Sequence, residues 1–135
     1  MTVKKRAALP MSEHTFQRQV ADYMTAAVRP ELHWSAIENG GKRNLSVAIK
    51  LKRAGLKRGS PDIFVMMPEG RIAWLELKIK GGSLSQEQRG FRDVCRKLGH
   101  HWSVAKTLDE VAEYLTAIGA VKANQTKGVS KWNAD

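Results

Sequence analysis

The stretch SPDIFVMMPEGRIAWLELK, residues 60–78, holds two apolar runs separated by Pro68-Glu69-Gly70. Proline and glycine interrupt regular structure, so the runs predict two β-strands, Asp62 to Met67 and Arg71 to Lys80, joined by a short loop. In the second run Ala73, Leu75, Leu77 and Ile79 alternate onto one face, and Ile72, Trp74, Glu76 and Lys78 onto the other. A hairpin that opposes Asp62 to Glu76 also opposes Phe64 to Trp74 and Met66 to Ile72, with Met67 to Arg71 as the loop. Directly opposed residues share a face, so Asp62, Glu76 and Lys78 then point the same way. A slip of one residue sends Asp62 to the other face, and periodicity alone leaves the register open.

The chemistry of that shared face is specific. Asp62 and Glu76 offer hard oxygen ligands of the kind a divalent cation takes. Lys78 offers an ammonium that can orient a water and stabilise developing negative charge. Two carboxylates in a half-covered place repel and raise each other's pKa, and a cation between them relieves this. The competing reading of Glu76 and Lys78 is an exposed ion pair on a wet strand. The apolar company of Asp62 (Phe64, Met66, Ile72 and Trp74 on the same face) speaks for a covered site instead.

Outward from this hairpin, Ser12 is placed to cap a helix that runs to about Arg29 and stops at Pro30. Phe16, Val20, Met24 and Ala27 form its apolar stripe. A short strand is expected over Leu32 to Ile37, a turn at Asn39-Gly40-Gly41, and a helix from Asn44 to Ala54 closed by Gly55. After the hairpin, Gly81-Gly82-Ser83 leads into a helix from Gln86 to Leu98, with Phe91, Val94, Cys95 and Leu98 as its apolar stripe and Gly99 at its end. A strand, His101 to Ala105, and a helix, Leu108 to Ile118, complete an α/β domain spanning residues 12–118. Residues 1–11, with Lys4, Lys5 and Arg6 but no long apolar segment, read as a flexible basic arm rather than a signal peptide. Residues 119–135 read as a mobile basic tail.

Composition narrows the partners. The 135 residues suit one domain. Lys and Arg number 23 against 13 Asp and Glu, a formal net charge of +10, which favours a polyanion such as nucleic acid. No apolar run reaches the length of a membrane span. With Cys95 as the single cysteine, an internal disulfide and a cysteine-cluster zinc site are excluded, and a reducing cytoplasm is the expected compartment. No phosphate-cradling glycine loop and no nucleophile elbow is present.

Pro61-Asp62 with Glu76-Leu77-Lys78 resembles the signature of the PD-(D/E)XK nuclease superfamily. A wider set resembles one branch of it, the VRR-NUC (virus-type replication-repair nuclease) domain, from Glu13 to about Leu115. That set is Glu13 with Gln17, Asn39-Gly40-Gly41 with Arg43, Gly55 with Gly59-Ser60-Pro61-Asp62, Glu76-Leu77-Lys78, Gly81-Gly82, and Leu84-Ser85 with Gln88, in that order. The resemblance implies a restriction-endonuclease-like fold, a central mixed β-sheet flanked by α-helices. It implies phosphodiester hydrolysis with Mg²⁺ or Mn²⁺, ligated by Asp62, Glu76 and the Leu77 carbonyl. Lys78 would position the attacking water, Glu13 would complete the acidic site, and Gln88 would sit near the lysine or substrate. Small relatives resemble Holliday-junction resolvases and act as homodimers, so branched DNA is the implied partner.

Several residues carry two readings on sequence grounds. Glu13 follows a helix cap and can serve the helix dipole or the site. Ser85-Gln86-Glu87-Gln88 fits a capping box, which Gln88 can fill alone or together with a place near the site. Lys42, Arg43, Lys50, Lys52, Arg53, Lys57 and Arg58 make a basic run that can be a solvated face, or phosphate contacts leading into Pro61-Asp62. Lys80, Gly81 and Gly82 can admit a DNA backbone closely or only turn the chain. Adjacent His100 and His101 point to opposite faces of a strand and do not share one ion. Cys95 reads as a buried filler. The expected function is therefore a divalent-metal-dependent endonuclease of structured DNA. The alternatives are a non-catalytic nucleic-acid-binding module on the same scaffold, or an accessory protein docking on a larger complex.

Overall fold

The hairpin forms in the register that opposes Asp62 to Glu76. In the computed structural model, which describes residues 11–38 and 45–122, β2 (Ile63–Met66) pairs antiparallel with β3 (Ile72–Leu77). Ile63 faces Leu75, Phe64 faces Trp74, Val65 faces Ala73 and Met66 faces Ile72. The Met67 amide donates to the Arg71 carbonyl at 2.9 Å and closes the loop. β2 begins one residue later than the sequence pattern predicts. Asp62 leaves the regular ladder because its side chain, rather than its carbonyl, accepts the Leu77 amide.

β1 (Trp34–Ala36) lies antiparallel beside β2, and β4 (His101–Ala105) lies parallel beside β3, giving a mixed sheet in the order β1-β2-β3-β4. Parallel neighbours need a long crossover, and α3 (Gln86–Leu98) supplies it. α1 (Glu13–Ala27) precedes the sheet, α2 (Leu45–Arg53) joins β1 to β2, and α4 (Leu108–Ala117) follows β4. The mixed sheet with flanking helices is the α/β architecture expected from the sequence.

The core lies between α1, α4 and one sheet face. Phe16, Val20, Met24 and Ala27 are the buried stripe of α1, as their spacing predicts. They meet Ile63, Val65, Ala73, Leu75, Leu77 and Ala105 from the sheet, and Val111 and Leu115 from α4. Ser12 caps α1, its hydroxyl accepting the Thr15 amide at 3.0 Å. α1 ends at Ala27 rather than Arg29 because Val28 turns extended and bridges Val121, while the Arg29 amide donates to Ala120. Ala120 and Val121 are fully packed, so the core extends past the boundary at Ile118 that the sequence suggests.

α3 departs from expectation. Only Cys95 of its apolar stripe is buried, and Val94 and Leu98 are 54% and 65% exposed. The helix rests on the second sheet face through Phe91, whose ring meets Trp74 edge-on at 4.9 Å. β4 ends the sheet, and no further layer among the described residues covers the rest of the stripe. His100 serves the fold, its Nδ1 accepting the Ile72 amide at 3.0 Å. No helix among the described residues is long and apolar enough to cross a membrane. The expected basic arm through Pro10, the Asn39-Gly40-Gly41 turn, Lys42, Arg43 and the tail beyond Lys122 lie outside the described residues.

Candidate active site

Asp62 and Glu76 converge at the end of the hairpin. The Asp62 backbone is held from both sides. Its amide donates to the Leu75 carbonyl at 3.1 Å, and its carbonyl accepts the Ile37 amide at 2.7 Å. Its Oδ2 accepts the Leu77 amide at 2.8 Å. That side-chain bond turns the carboxylate across to β3 beside Glu76. Glu76 is the one buried charged residue among the described residues, 4% exposed. Burial, then the Asp62 charge and a shared hydrogen bond with Asp62, push its pKa up to about 8, against a smaller opposing pull from Lys78. Glu13, exposed in the first turn of α1, adds the weakest upward push. Among the described residues no Lys or Arg pairs with either carboxyl at ion-pair distance. A buried carboxyl beside a second carboxyl, with no basic partner at ion-pair distance, is costly, because its charged form is stripped of water next to a like charge.

The loop that delivers Asp62 is fixed by close contact with α3. Gly59 has φ +99°, and a Cβ there would lie 2.5 Å from the Glu87 carbonyl oxygen. Only glycine lets the loop lie this close to the first turn of α3. Pro61, fully buried, is the next anchor. On α3 the capping box predicted from the sequence is complete. The Ser85 hydroxyl accepts the Gln88 amide at 3.1 Å, and Gln88 Oε1 accepts the Ser85 amide at 2.8 Å. With its oxygen committed to the cap, Gln88 has its NH₂ group to offer the site.

These parts border a cleft of about 1110 Å³. Its floor holds Asp62, Glu76, Ser60 and Gly59, one wall holds Ser85, Glu87 and Gln88, and the facing wall is α2 and the loop after it. Lys52, Lys57 and Arg58 line that facing wall. The arrangement can take an anion along the cationic wall and bring it to a carboxylate pair.

The sequence profile of the VRR-NUC domain matches residues 15–108, most of the chain. The chain belongs to the VRR-NUC domain family. Two solved structures are similar in fold. A VRR-NUC domain protein superposes with a TM-score of 0.63 at 23% identity, covering 80% of this chain and 88% of its own. A VRR-NUC domain superposes with a TM-score of 0.51 at 18% identity, covering 77% of this chain and 94% of its own. No functionally curated protein matches the chain. VRR-NUC is a nuclease family, and the matched span contains Asp62, Glu76, Leu77, Lys78 and Gln88, while Glu13 precedes it.

Within this VRR-NUC domain the expected residues are distributed unevenly. Asp62 and Glu76 are brought together, Gln88 lines the same cleft, and Lys78 stands within electrostatic reach. Glu13 stays outside ligating distance, since among the described residues no three of His, Cys, Asp and Glu gather closely enough to hold an ion. Of the basic residues, Lys57 and Arg58 line the cleft, whereas Lys50, Arg53 and Lys80 are exposed and outside its lining. Gly81, at φ +87°, serves the chain reversal after β3. Gly82 donates its amide to the Ile79 carbonyl at 2.9 Å, and a Cβ there would lie 3.5 Å from Lys78 Cδ, so the turn lies against the lysine stem. Lys52, a member of the basic run named from the sequence, and Ser60, beside Pro61-Asp62 in the motif, also line the cleft. The donor set fits Mg²⁺ or Mn²⁺. Both are oxygen-seeking, and Mg²⁺ is commonly held by one or two carboxylates with water filling the remaining positions.

Proposed function

We propose that this VRR-NUC domain is a divalent-metal-dependent DNA endonuclease that hydrolyses phosphodiester bonds in branched, Holliday-junction-like DNA. The observation that carries the reading is the buried Glu76 carboxyl beside Asp62 in a cleft that Lys52, Lys57 and Arg58 also line. Asp62, Glu76 and the Leu77 carbonyl would hold the cation, with Glu13 contributing through water. When bound, the cation supplies Lewis-acid polarisation of the phosphoryl group and acidifies water.

The chain's own residues supply the rest. The Leu77 amide holds the Asp62 carboxylate in place, so its position needs no reorganisation at the moment of reaction. Lys78 orients the attacking water and offsets the negative charge that builds on the phosphoryl oxygens. The Gln88 NH₂ group, fixed through its helix cap, donates to a substrate or water oxygen. Lys57 and Arg58 hold flanking phosphates. Water adds to phosphorus in line with the departing 3′ oxygen, leaving a 5′-phosphate and a 3′-hydroxyl. A homodimer would present two such clefts to the two symmetric strands of a four-way junction.

The test is a cleavage panel on labelled four-way junction, flap, splayed-arm and linear duplex DNA in Mg²⁺, Mn²⁺ or EDTA. The expected result is metal-dependent nicking strongest on branched DNA, abolished by Asp62→Ala and by Glu76→Ala while DNA binding persists. Wild-type rates in either variant would remove the site assignment. Binding to every substrate with no nicking in either metal would leave a binding module.

A further inference from the structure

α2 stands apart from the other described α-helices. None of its residues is buried. Its cleft-facing row is Leu45, Ala48, Ile49 and Lys52, continued by Leu56 beyond the helix end. These positions repeat at helical spacing and therefore share one face. Leu45 is 76% exposed, Ile49 50% and Leu56 42%. The aliphatic row thus stands open in the same cleft that holds Asp62 and Glu76, with Lys52, Lys57 and Arg58 beside it.

The cations select a nucleic acid backbone, but the leucines and isoleucine gain nothing from phosphate and only edge contact from the sugar. Their match in a nucleic acid is the flat apolar face of a nucleobase. In a regular duplex those faces are stacked on one another and hidden. They become available where a strand is unpaired or a step is opened, and aliphatic side chains are known to wedge into such steps. We infer that the Leu45–Ile49–Leu56 row is a wedge that packs against an unpaired or unstacked base beside the phosphate presented to Asp62 and Glu76. This selects DNA with an open step at the cutting position over continuous duplex. The inference rests on the nuclease reading of the cleft and adds the structural feature of the substrate that the cleft would recognise.

The experiment uses the full chain in EDTA, so that binding is read without cleavage. The probes are a splayed-arm DNA carrying 2-aminopurine at the first unpaired base, and a linear duplex carrying it at the same sequence position. The variants are Leu45→Ser with Ile49→Ser, and Leu98→Ser as an equally exposed apolar control on α3. Urea unfolding checks that each variant is folded. Wild type should bind the splayed arm more tightly and change the fluorescence of the unpaired base. The double variant should lose about tenfold in affinity for the splayed arm, the scale of burying one aliphatic side chain against a base, keep its affinity for the duplex, and lose the fluorescence change. The control should match wild type. Equal losses on both DNAs, or no loss on either, overturn the inference. So does a wild-type dimer that becomes monomeric in the double variant with DNA preference unchanged, which would make the row a contact between copies. A wild type that binds and then nicks in Mg²⁺ while the double variant is unaffected defeats the wedge alone. A wild type that binds no DNA defeats the underlying nuclease reading as well.

Discussion

Replacing Glu76 by glutamine should change how stability depends on pH more than it changes stability itself. The Glu76 carboxyl is buried, and its pKa is raised from 4.5 to about 8, first by desolvation and then by Asp62. A raised acid binds its proton more tightly in the folded chain than in the unfolded one. The resulting stabilisation is fully present below the unfolded value, near pH 4.5, and is lost as pH rises through about 8. At about 1.4 kcal/mol per pH unit the window has an upper bound of about 5 kcal/mol, which solvent screening in the open cleft and sharing of the proton with Asp62 reduce to roughly 2–3 kcal/mol, still a large share of the roughly 5–15 kcal/mol that holds a domain together. Glutamine keeps the shape and a hydrogen bond to Asp62 but has no proton to lose. Urea unfolding in EDTA from pH 5 to pH 9 should therefore show the wild type weakening by roughly 2–3 kcal/mol while Glu76→Gln weakens by less than about 1 kcal/mol from this site. Above pH 8 the variant should be the more stable protein. Adding Mg²⁺ at high pH should restore the wild type and leave the variant unmoved, since only the native acid pair gains a ligand. Parallel pH profiles for the two proteins would refute the reasoning, because they would mean that Glu76 titrates normally.

Gly59→Ala places a Cβ against the Glu87 carbonyl at a left-handed φ, and should cost roughly 1–3 kcal/mol in urea unfolding and reduce cleavage together with it. Ser85→Ala removes half of the capping box at the cleft wall; it should destabilise α3 by about 1 kcal/mol and slow nicking through a less fixed Gln88. Lys57→Ala with Arg58→Ala should weaken binding to branched and linear DNA alike, and lower the slope of log affinity against log salt by about 0.9 for each phosphate contact removed.

What could be read from the sequence was mostly local. The Asp62–Glu76 register could be posed from the sequence but not decided by alternation, and the β2–β3 ladder decides it in the form that brings the two carboxyls together. Ser12, Ser85 and Gln88 announced their caps through spacing alone. Features set by distant chain were not legible. The end of α1 depends on Val28 meeting Val121, almost the whole domain away. Gly59 could be recognised as a glycine in the site motif, but its contact with Glu87 belongs to the packing of a loop on a helix that follows much later. Apolar periodicity also failed to separate buried stripes from open ones. Phe16, Val20 and Met24 are covered by the sheet, whereas Val94, Leu98, Leu45 and Ile49 repeat with the same period and stay exposed. A helical pattern states that residues share a face, and only the neighbouring layers decide whether that face is buried. Glu13 illustrates the limit for the site itself, since its place in the first turn of α1 suits both a helix dipole and a distant influence on Glu76.

The central claim is that Asp62 and Glu76 together hold one divalent cation. A Mn²⁺ titration followed by electron paramagnetic resonance tests it without DNA or turnover, because bound Mn²⁺ leaves the free-ion signal. Wild type should remove one Mn²⁺ per chain, with Mg²⁺ competing, and Asp62→Ala and Glu76→Ala should each lose that site while remaining folded. Equal uptake by all three proteins, or none by the wild type, would contradict the account.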